Sequence, residues 1–477
     1  MSVGFSRDRW TEYIRKKVAK GDYSAIVMTQ ETDVWAENEY GETIADGEAG
    51  VDDAEAIQNA LNSLTPNRSW KEKVVLKGDF VINSSILIPS YTILDCREAQ
   101  LKLPSGADYP ILKNKNYGDF DEEIEIVGGV FDGNNNVVDR GLIDFKGGSD
   151  VGKHVTNIKV IGGYFKNVKK DGDNGRGVWL MPATKCTVAY CRFENCGVAV
   201  DITGTHGYGN KIIYNTIKDT QAGAIVVGLS HGTKVIGNYI SYAGKHGISV
   251  DSGHEVIITN NDIRNPTEHG IALFTSINDA PEEGLIADNQ IRNAGKSGIW
   301  IGPSPYCNIE NNRVYNSGEY GINVQGNSRG SQIIGNKVMS SGYDGIRLHD
   351  AHNSVIEGNI CLNNGQAGSG YSGIHLEDYA NGCVIVGNRC YDDQDTKTQD
   401  YGISVEGSCT YVRIKGNICR GNKTANYNIT SSGIVICDAI KYTSLPAEGI
   451  EIGDIIYYYD GTNDLIAVWN GSEWVTK

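Results

Sequence analysis

One stretch of this sequence gathers carboxylates, histidines, an arginine and aromatic rings at regular spacing. It runs from Trp300 through Tyr320, Asn323, Gln325, Tyr343, Asp344, Arg347, His349, Asp350, Tyr371, His375, Glu377, Asp378 and Tyr401 to Glu406. A carboxylate beside a histidine raises the ring's pKa and orients it. An arginine can clamp a sugar carboxylate with two parallel hydrogen bonds. Arg347, His349, His375, Glu377, Asp344 and Asp350 are therefore the catalytic candidates. Trp300, Tyr320, Asn323, Gln325, Tyr343, Tyr371, Asp378, Tyr401 and Glu406 are the candidate substrate contacts, the aromatic rings stacking on sugar faces. Two reactions fit. In β-elimination from a uronic acid, Arg347 neutralises the carboxylate and His349 or His375 takes the C5 proton. In hydrolysis two carboxylates cooperate, Glu377 with Glu406 or, in a rival patch, Asp201 with Asp251. The competing interpretation is a merely solvated charged face.

The spacing of these residues shows what must hold them. Most stand just before, two after or four after a recurring glycine in the phrase Gly, aliphatic, variable, aliphatic, variable, while Tyr343 and Tyr371 stand two before it and Asp350 and Asp378 five after it. The copies begin at Gly177, Gly197, Gly223, Gly247, Gly270, Gly298, Gly321, Gly345, Gly373, Gly402 and Gly433, a mean spacing of about 26 residues. Alternation with period two makes each copy a short strand, aliphatics inward and variable residues outward. The outward row two after glycine then reads Trp179, Ala199, Ile225, Ser249, Ala272, Trp300, Asn323, Arg347, His375, Ser404, Val435. The row four after it includes Met181, Asp201, Val227, Asp251, Gln325, His349, Glu377, Glu406 and Cys437.

A second phrase, aliphatic-x-x-Asn-x-aliphatic, places Asn215, Asn238, Asn261, Asn289, Asn312, Asn336, Asn359, Asn388 and Asn417 one repeat apart. One repeat cannot bury its apolar row, but coils stacked at strand spacing, about 4.8 Å, bury all rows together. The expected fold is an all-β parallel β-helix, with the asparagines as an inward ladder and Cys361, Cys390 and Cys419 as core filler. Asp52–Leu64 has helical periodicity and an acidic start, and would cap the open end of the core. Residues 1–45 read as a separate N-terminal segment suited to anchoring or oligomerisation, 46–440 as the β-helix, and 441–477 as a small β-module with hairpin turns at Asp460-Gly461 and Asn470-Gly471.

Composition narrows the partners. Glycine is 59 of 477 residues without a three-residue period, which excludes collagen. A net charge of −16 makes nucleic acid and anionic membranes poor partners. No apolar run is long enough to span a bilayer. Met1–Gly21 lacks a signal core, so the expected location, extracellular or virion-associated, implies an exit other than a signal peptide. The 11 cysteines show no disulfide-framework spacing and are expected to be reduced. No cofactor is required, although the turns at Asp132-Gly-Asn-Asn-Asn and Asp171-Gly-Asp-Asn could offer oxygens to Ca²⁺. His154, His206, His231 and His254 read as turn residues.

The segment Gly50-Val-Asp-Asp-Ala-Glu-Ala-Ile-Gln resembles the entry helix of the pectate-lyase-like superfamily of right-handed β-helices. Ile126-Val-Gly-Gly-Val-Phe-Asp-Gly-Asn134 resembles an early coil of the same superfamily. The resemblance covers about residues 45–440 and implies a right-handed parallel β-helix. Its members include polygalacturonases, pectate lyases, alginate epimerases and phage tailspike depolymerases. Of the polygalacturonase acid motifs only Lys245-His246-Gly-Ile-Ser is present; the others read Glu194-Asn-Cys-Gly-Val and Gln221-Ala-Gly-Ala. The resemblance therefore points to a polysaccharide lyase or tailspike-type depolymerase. A glycoside hydrolase and a non-catalytic glycan-binding adhesin or structural virion protein are the alternatives. A homotrimer would accompany the tailspike version.

Overall fold

The computed structural model describes residues 22–148, 150, 152–274, 281–438, 441–442, 455–459, 464–469 and 473–476. The expected helix at residues 8–20 and the turns at Asp460-Gly461 and Asn470-Gly471 lie outside them. The chain forms two compact units, Met1–Gln221 and Ala222–Lys477.

In the first unit, Ala25–Gln30 and Asp33–Asn38 form an antiparallel pair, and Ala25–Gln30 also runs parallel to Glu72–Val81. The one helix among the described residues, α1 (Asp53–Asn62), buries Ala54, Ala56, Ile57, Ala60 and Leu61. Asp53 and Glu55 occupy its first turn, where the helix dipole favours negative charge. The Asp53 carboxylate accepts the Val81 N–H at 2.7 Å, which pins the helix to the first long strand. Beyond it, strands stack in parallel: Leu112–Asn114, Gly141–Lys146, Arg176–Met181 and Val198–Tyr208 on one face. Phe131, Phe165 and Phe193 stack in successive coils at 4.7 and 5.0 Å, all fully buried.

The second unit repeats the same parallel stacking. Its outward face of interest comprises Ile248–Asp251, Ile271–Phe274, Ile299–Ile301, Ile322–Gln325, Ile346–His349, Ser372–Glu377, Tyr401–Val405 and Ala425–Ile429. The asparagine ladder forms as expected. Each side-chain amide from Asn238 to Asn388 donates to the Oδ1 of the next, at 2.9–3.0 Å. Cys361 pairs in register with Cys390, and Cys390 with Cys419. The ten cysteines whose side chains are described are free thiols.

The two sequence phrases prove to be one device. A Cβ on Gly298 would come within 2.3 Å of Val314 Cγ1, and one on Gly321 within 2.1 Å of Val338 Cγ1. Those valines stand two after ladder asparagines, so the glycine is required by the aliphatic packed on it. This explains where the expected alignment slips. Gly223 has nothing closer than 3.5 Å, and Ala224 takes its place, its N–H bonding His246 O as Gly247 N–H bonds His269 O. Ile225 and Val227 consequently point into the core, fully buried, and Val226 faces out. Trp179 pairs with Asp201, not with Ala199, because Ala199 lies opposite Gly177. Val435–Asp438 pairs with Val412–Lys415 on another face, so Val435 and Cys437 leave the expected rows. Ala425–Ile429, which has no glycine phrase, takes the vacated place.

Candidate functional site

The register brings the predicted cluster together in the second unit. Asn323 pairs with Arg347 and Arg347 with His375; Gln325 pairs with His349 and His349 with Glu377; His375 pairs with Ser404. Adjacent coils put these side chains in contact, since parallel strands lie about 4.8 Å apart.

His375 is the centre. Its side chain is 11% exposed. Nδ1 lies 3.2 Å from Asp344 Oδ2, and Asp344 is itself fixed by accepting the Ser372 N–H. Nε2 lies 3.7 Å from Glu406 Oε2 and 3.9 Å from Glu377 Oε2, and is buried without a hydrogen-bond partner. At those lengths the two carboxylates act on Nε2 by charge. Burial pulls the ring's pKa down, but Asp344, Glu406 and Glu377 outweigh it and raise the pKa to about 10. His375 is therefore an imidazolium at neutral pH.

Glu406 is held on the other side. His375, partly opposed by burial, and then the Ser404 hydroxyl and Asn428 amide bring its pKa down to about 2. Both Ser404 Oγ and Asn428 Nδ2 donate to Glu406 Oε1 at 2.7 Å. Asn428 escaped the sequence reading because its coil lacks the glycine phrase. The only available signal was its distance from Ser404, one coil on.

Arg347 is engaged by its neighbours. It donates from Nε and Nη2 to Glu377 Oε1, and from Nη1 to Asn323 and Gln325 at 3.2 and 3.4 Å. Its guanidinium also lies 4.9 Å over the Tyr320 ring. The arginine is a brace for Glu377, because the register sets a carboxylate beside it one coil on. Glu377 thus meets Arg347 with one oxygen and His375 with the other.

The remaining candidates divide. His349 Nδ1 lies 3.6 Å from Glu377 and 3.7 Å from Asp378, with the ring 36% exposed. Asp350 turns away from the cluster at positive φ and pairs with His352 at 3.2 Å. Tyr343 lies edge-on to Tyr320 at 5.2 Å and stacks on Tyr371 at 4.8 Å. Tyr401 is half-buried and opens its strand opposite Ser372. Trp300 stacks on His269 at 5.4 Å, and His269 on His246 at 5.3 Å, forming an aromatic run of their own. Burial first, then His246 and Lys296, lower His269 to about 4, so that ring is neutral. In the rival patch, Asp201 is buried and bound to Arg176, while Asp251 accepts from Ser252 Oγ at 3.0 Å. The Asp132 turn is held by its own groups: Asn134 N and Asn167 Nδ2 bond one oxygen and Lys166 pairs with the other.

The comparisons with known proteins agree with this architecture. The family model for the right handed beta helix region matches residues 151–280 and 277–439. The chain belongs to that right-handed β-helix family. No curated protein matches. Among solved structures, a tailspike protein of E. coli bacteriophage HK620 in complex with a hexasaccharide has a TM-score of 0.58 at 14% identity, covering 90% of this chain and 82% of that one. Tailspike protein 3 of bacteriophage CBA120 gives 0.57 at 14% identity, over 100% and 76%. The A-module of an Azotobacter vinelandii mannuronan C-5 epimerase gives 0.42 at 16% identity, over 82% and 96%. At these identities the likeness to the two tailspikes is one of fold.

Proposed function

We propose that this protein binds an extended polysaccharide along the outward strands of its second unit and hydrolyses it with the carboxyl pair Glu377 and Glu406. The observation that carries the proposal is the convergence of both carboxylates on one buried nitrogen, His375 Nε2, at 3.9 and 3.7 Å. Two carboxyl groups across one bond are what glycoside hydrolysis needs. Glu406, held ionised, takes the base or nucleophile role. Glu377, braced by Arg347, is the second carboxyl group of the pair and takes the acid role at the leaving oxygen. The unpartnered Nε2–H gives a substrate or water oxygen between the carboxylates a donor. Arg347, consumed by Glu377, offers no free clamp for a uronate, so the bond cleaved is assigned to a neutral sugar unit. Tyr320, Tyr343 and Tyr371 flank the cluster as stacking surface.

The likeness to a phage tailspike in complex with a hexasaccharide supports the choice of an extended glycan and a virion-associated or extracellular setting. In this reading residues 1–45 are an anchoring or oligomerising segment, 46–440 the β-helix and 441–477 a C-terminal module, with a homotrimer as the assembly. No helix among the described residues is long and apolar enough to cross a membrane. The test is incubation with a panel of neutral and uronate polysaccharides, following reducing ends and the ultraviolet absorbance of unsaturated ends in parallel. Reducing ends without absorbance, lost about 10²–10⁴-fold in Glu406→Gln, are expected. Rising absorbance would mean elimination, with the exposed His349 as base. Binding without either signal would leave a glycan-binding module.

A further inference from the structure

The net charge of −16 hides a face of the opposite sign. In the second unit the strands that follow the ladder asparagines stack in register: Asp262–Arg264, Gln290–Arg292, Arg313–Tyr315, Lys337–Met339, Ile360–Leu362, Arg389–Tyr391 and Ile418–Arg420. The middle residue of each is the aliphatic or cysteine packed inward, so the first and third residues form two outward rows. Those rows hold six cations, Arg264, Arg292, Arg313, Lys337, Arg389 and Arg420, against one carboxylate, Asp262.

Asp262 is taken up by Arg264 at 2.7 Å. The other five cations form no ion pair with a described residue. Glu310 and Glu357 stand one turn earlier, before Asn312 and Asn359, and pair with none of them. Arg292, Arg313, Arg389 and Arg420 are exposed. Aromatic rings set the direction of three guanidinium groups: Arg292 lies over Tyr315 at 5.2 Å, and Arg420 and Arg389 over Tyr391 at 5.5 and 6.0 Å. A guanidinium already stacked on a ring loses less freedom when it binds an anion.

We propose that this stripe is a second binding face, separate from the carboxyl pair, for an extended acidic polysaccharide that carries anionic groups on successive sugar units. Cations recur on six of the seven coils. Coils advance about 4.8 Å each, close to the advance of one pyranose unit along an extended glycan. A guanidinium takes a carboxylate or sulfate with two parallel hydrogen bonds. The two rows stand two residues apart on each strand, about 7 Å, which admits one chain and not a duplex. A nucleic-acid single strand needs open rings for its bases, and guanidinium groups already cover Tyr315 and Tyr391. The acidic remainder of the protein repels a polyanion, but in about 0.1 M salt that repulsion is screened beyond about 10 Å while direct contacts persist.

The test is calorimetric titration of the full chain in about 0.1 M salt with polygalacturonate, dextran sulfate, neutral dextran and a short DNA duplex. Binding of at least one anionic glycan, and none of neutral dextran, is expected. Arg313→Gln/Lys337→Gln/Arg389→Gln should weaken that binding about tenfold or more, as should a roughly fourfold rise in salt. Lys185→Gln/Lys211→Gln/Lys234→Gln removes as many charges from exposed lysines on other parts of the coils and should change it less than about twofold. Unaltered circular dichroism and thermal melting show that both variants fold. Glu406→Gln should keep the binding in full, which separates this face from the carboxyl pair. Four results would each overturn the proposal: no binding of either anionic glycan, equal binding by the two triple variants, loss of binding in Glu406→Gln, or a duplex held more tightly than both glycans.

Discussion

Replacing Glu406 by glutamine removes one charge from beside His375 while keeping a side chain that Ser404 and Asn428 can still engage. At 3.7 Å, two unit charges attract by about 4 kcal/mol at an effective dielectric of 20 and by about 1 kcal/mol in bulk water. Glu406 is 36% exposed, so solvent screens the pair and about 2 kcal/mol is the reasonable figure. That is roughly 1.5 pH units. The His375 midpoint should fall from about 10 to roughly 8.5. The ring should stay protonated at neutral pH, because Asp344 still holds Nδ1 at 3.2 Å. Asp344→Asn, at a carboxyl only 3% exposed, should lower the midpoint further. Long-range ¹H–¹⁵N spectra of the histidine nitrogens over a pH series read both values. A wild-type midpoint below 7, or one that does not move in Glu406→Gln, would refute the charge assignment. The stability linkage has a definite sign. His375 binds its proton more tightly folded than unfolded, so its contribution is complete below about pH 6.5 and is lost as pH rises through about 10. Glu406 contributes above about pH 4.5 and loses its contribution as pH falls through about 2.

Asn312→Ala should cost about 2–4 kcal/mol in urea unfolding, since it strands the Asn289 N–H and the Ile286 carbonyl in the core. Phe165→Ala opens the middle of the phenylalanine stack and should cost about 3–5 kcal/mol, read as a lower Tm. Cys186, Cys191, Cys196 and Cys307, pushed up to about 12 by burial, should resist a thiol reagent at pH 8 until denaturant is added, as mass spectrometry of the labelled protein will show. Tyr343→Ala, which breaks the stack on Tyr371, should weaken glycan binding by about 1 kcal/mol in calorimetry.

The repeat was plain in the sequence because glycine and aliphatic recur for a packing reason. Gly247, Gly270, Gly298 and Gly321 meet Ile263, Ile291, Val314 and Val338, each two after a ladder asparagine. Where glycine serves something else, the phrase misleads. Gly223 stands one residue early, and Gly433 opens a strand on a different face. The rows through Asn323, Arg347, His375 and Ser404 were legible because four consecutive coils keep the phrase. Their internal pairing was not. Arg347 could have faced a ligand; a rotamer that reaches Glu377 one coil on took it instead, and sequence periodicity carries no rotamer information. Asp350 pairs with His352 because positive φ swings the chain away after the strand, a turn property invisible to a period-two pattern.

The asparagine ladder has a direction. From Asn238 to Asn388 every side-chain N–H points to the oxygen of the following coil, and each oxygen also receives the preceding backbone N–H. Amide dipoles set head to tail polarise one another. The column therefore behaves as a wire one amide wide, and a defect at its middle leaves two shorter wires whereas a defect at its end only trims one. The same Asn→Ala change should then cost more at Asn312 than at Asn417, the last ladder asparagine among the described residues, although each is surrounded by nearly the same atoms.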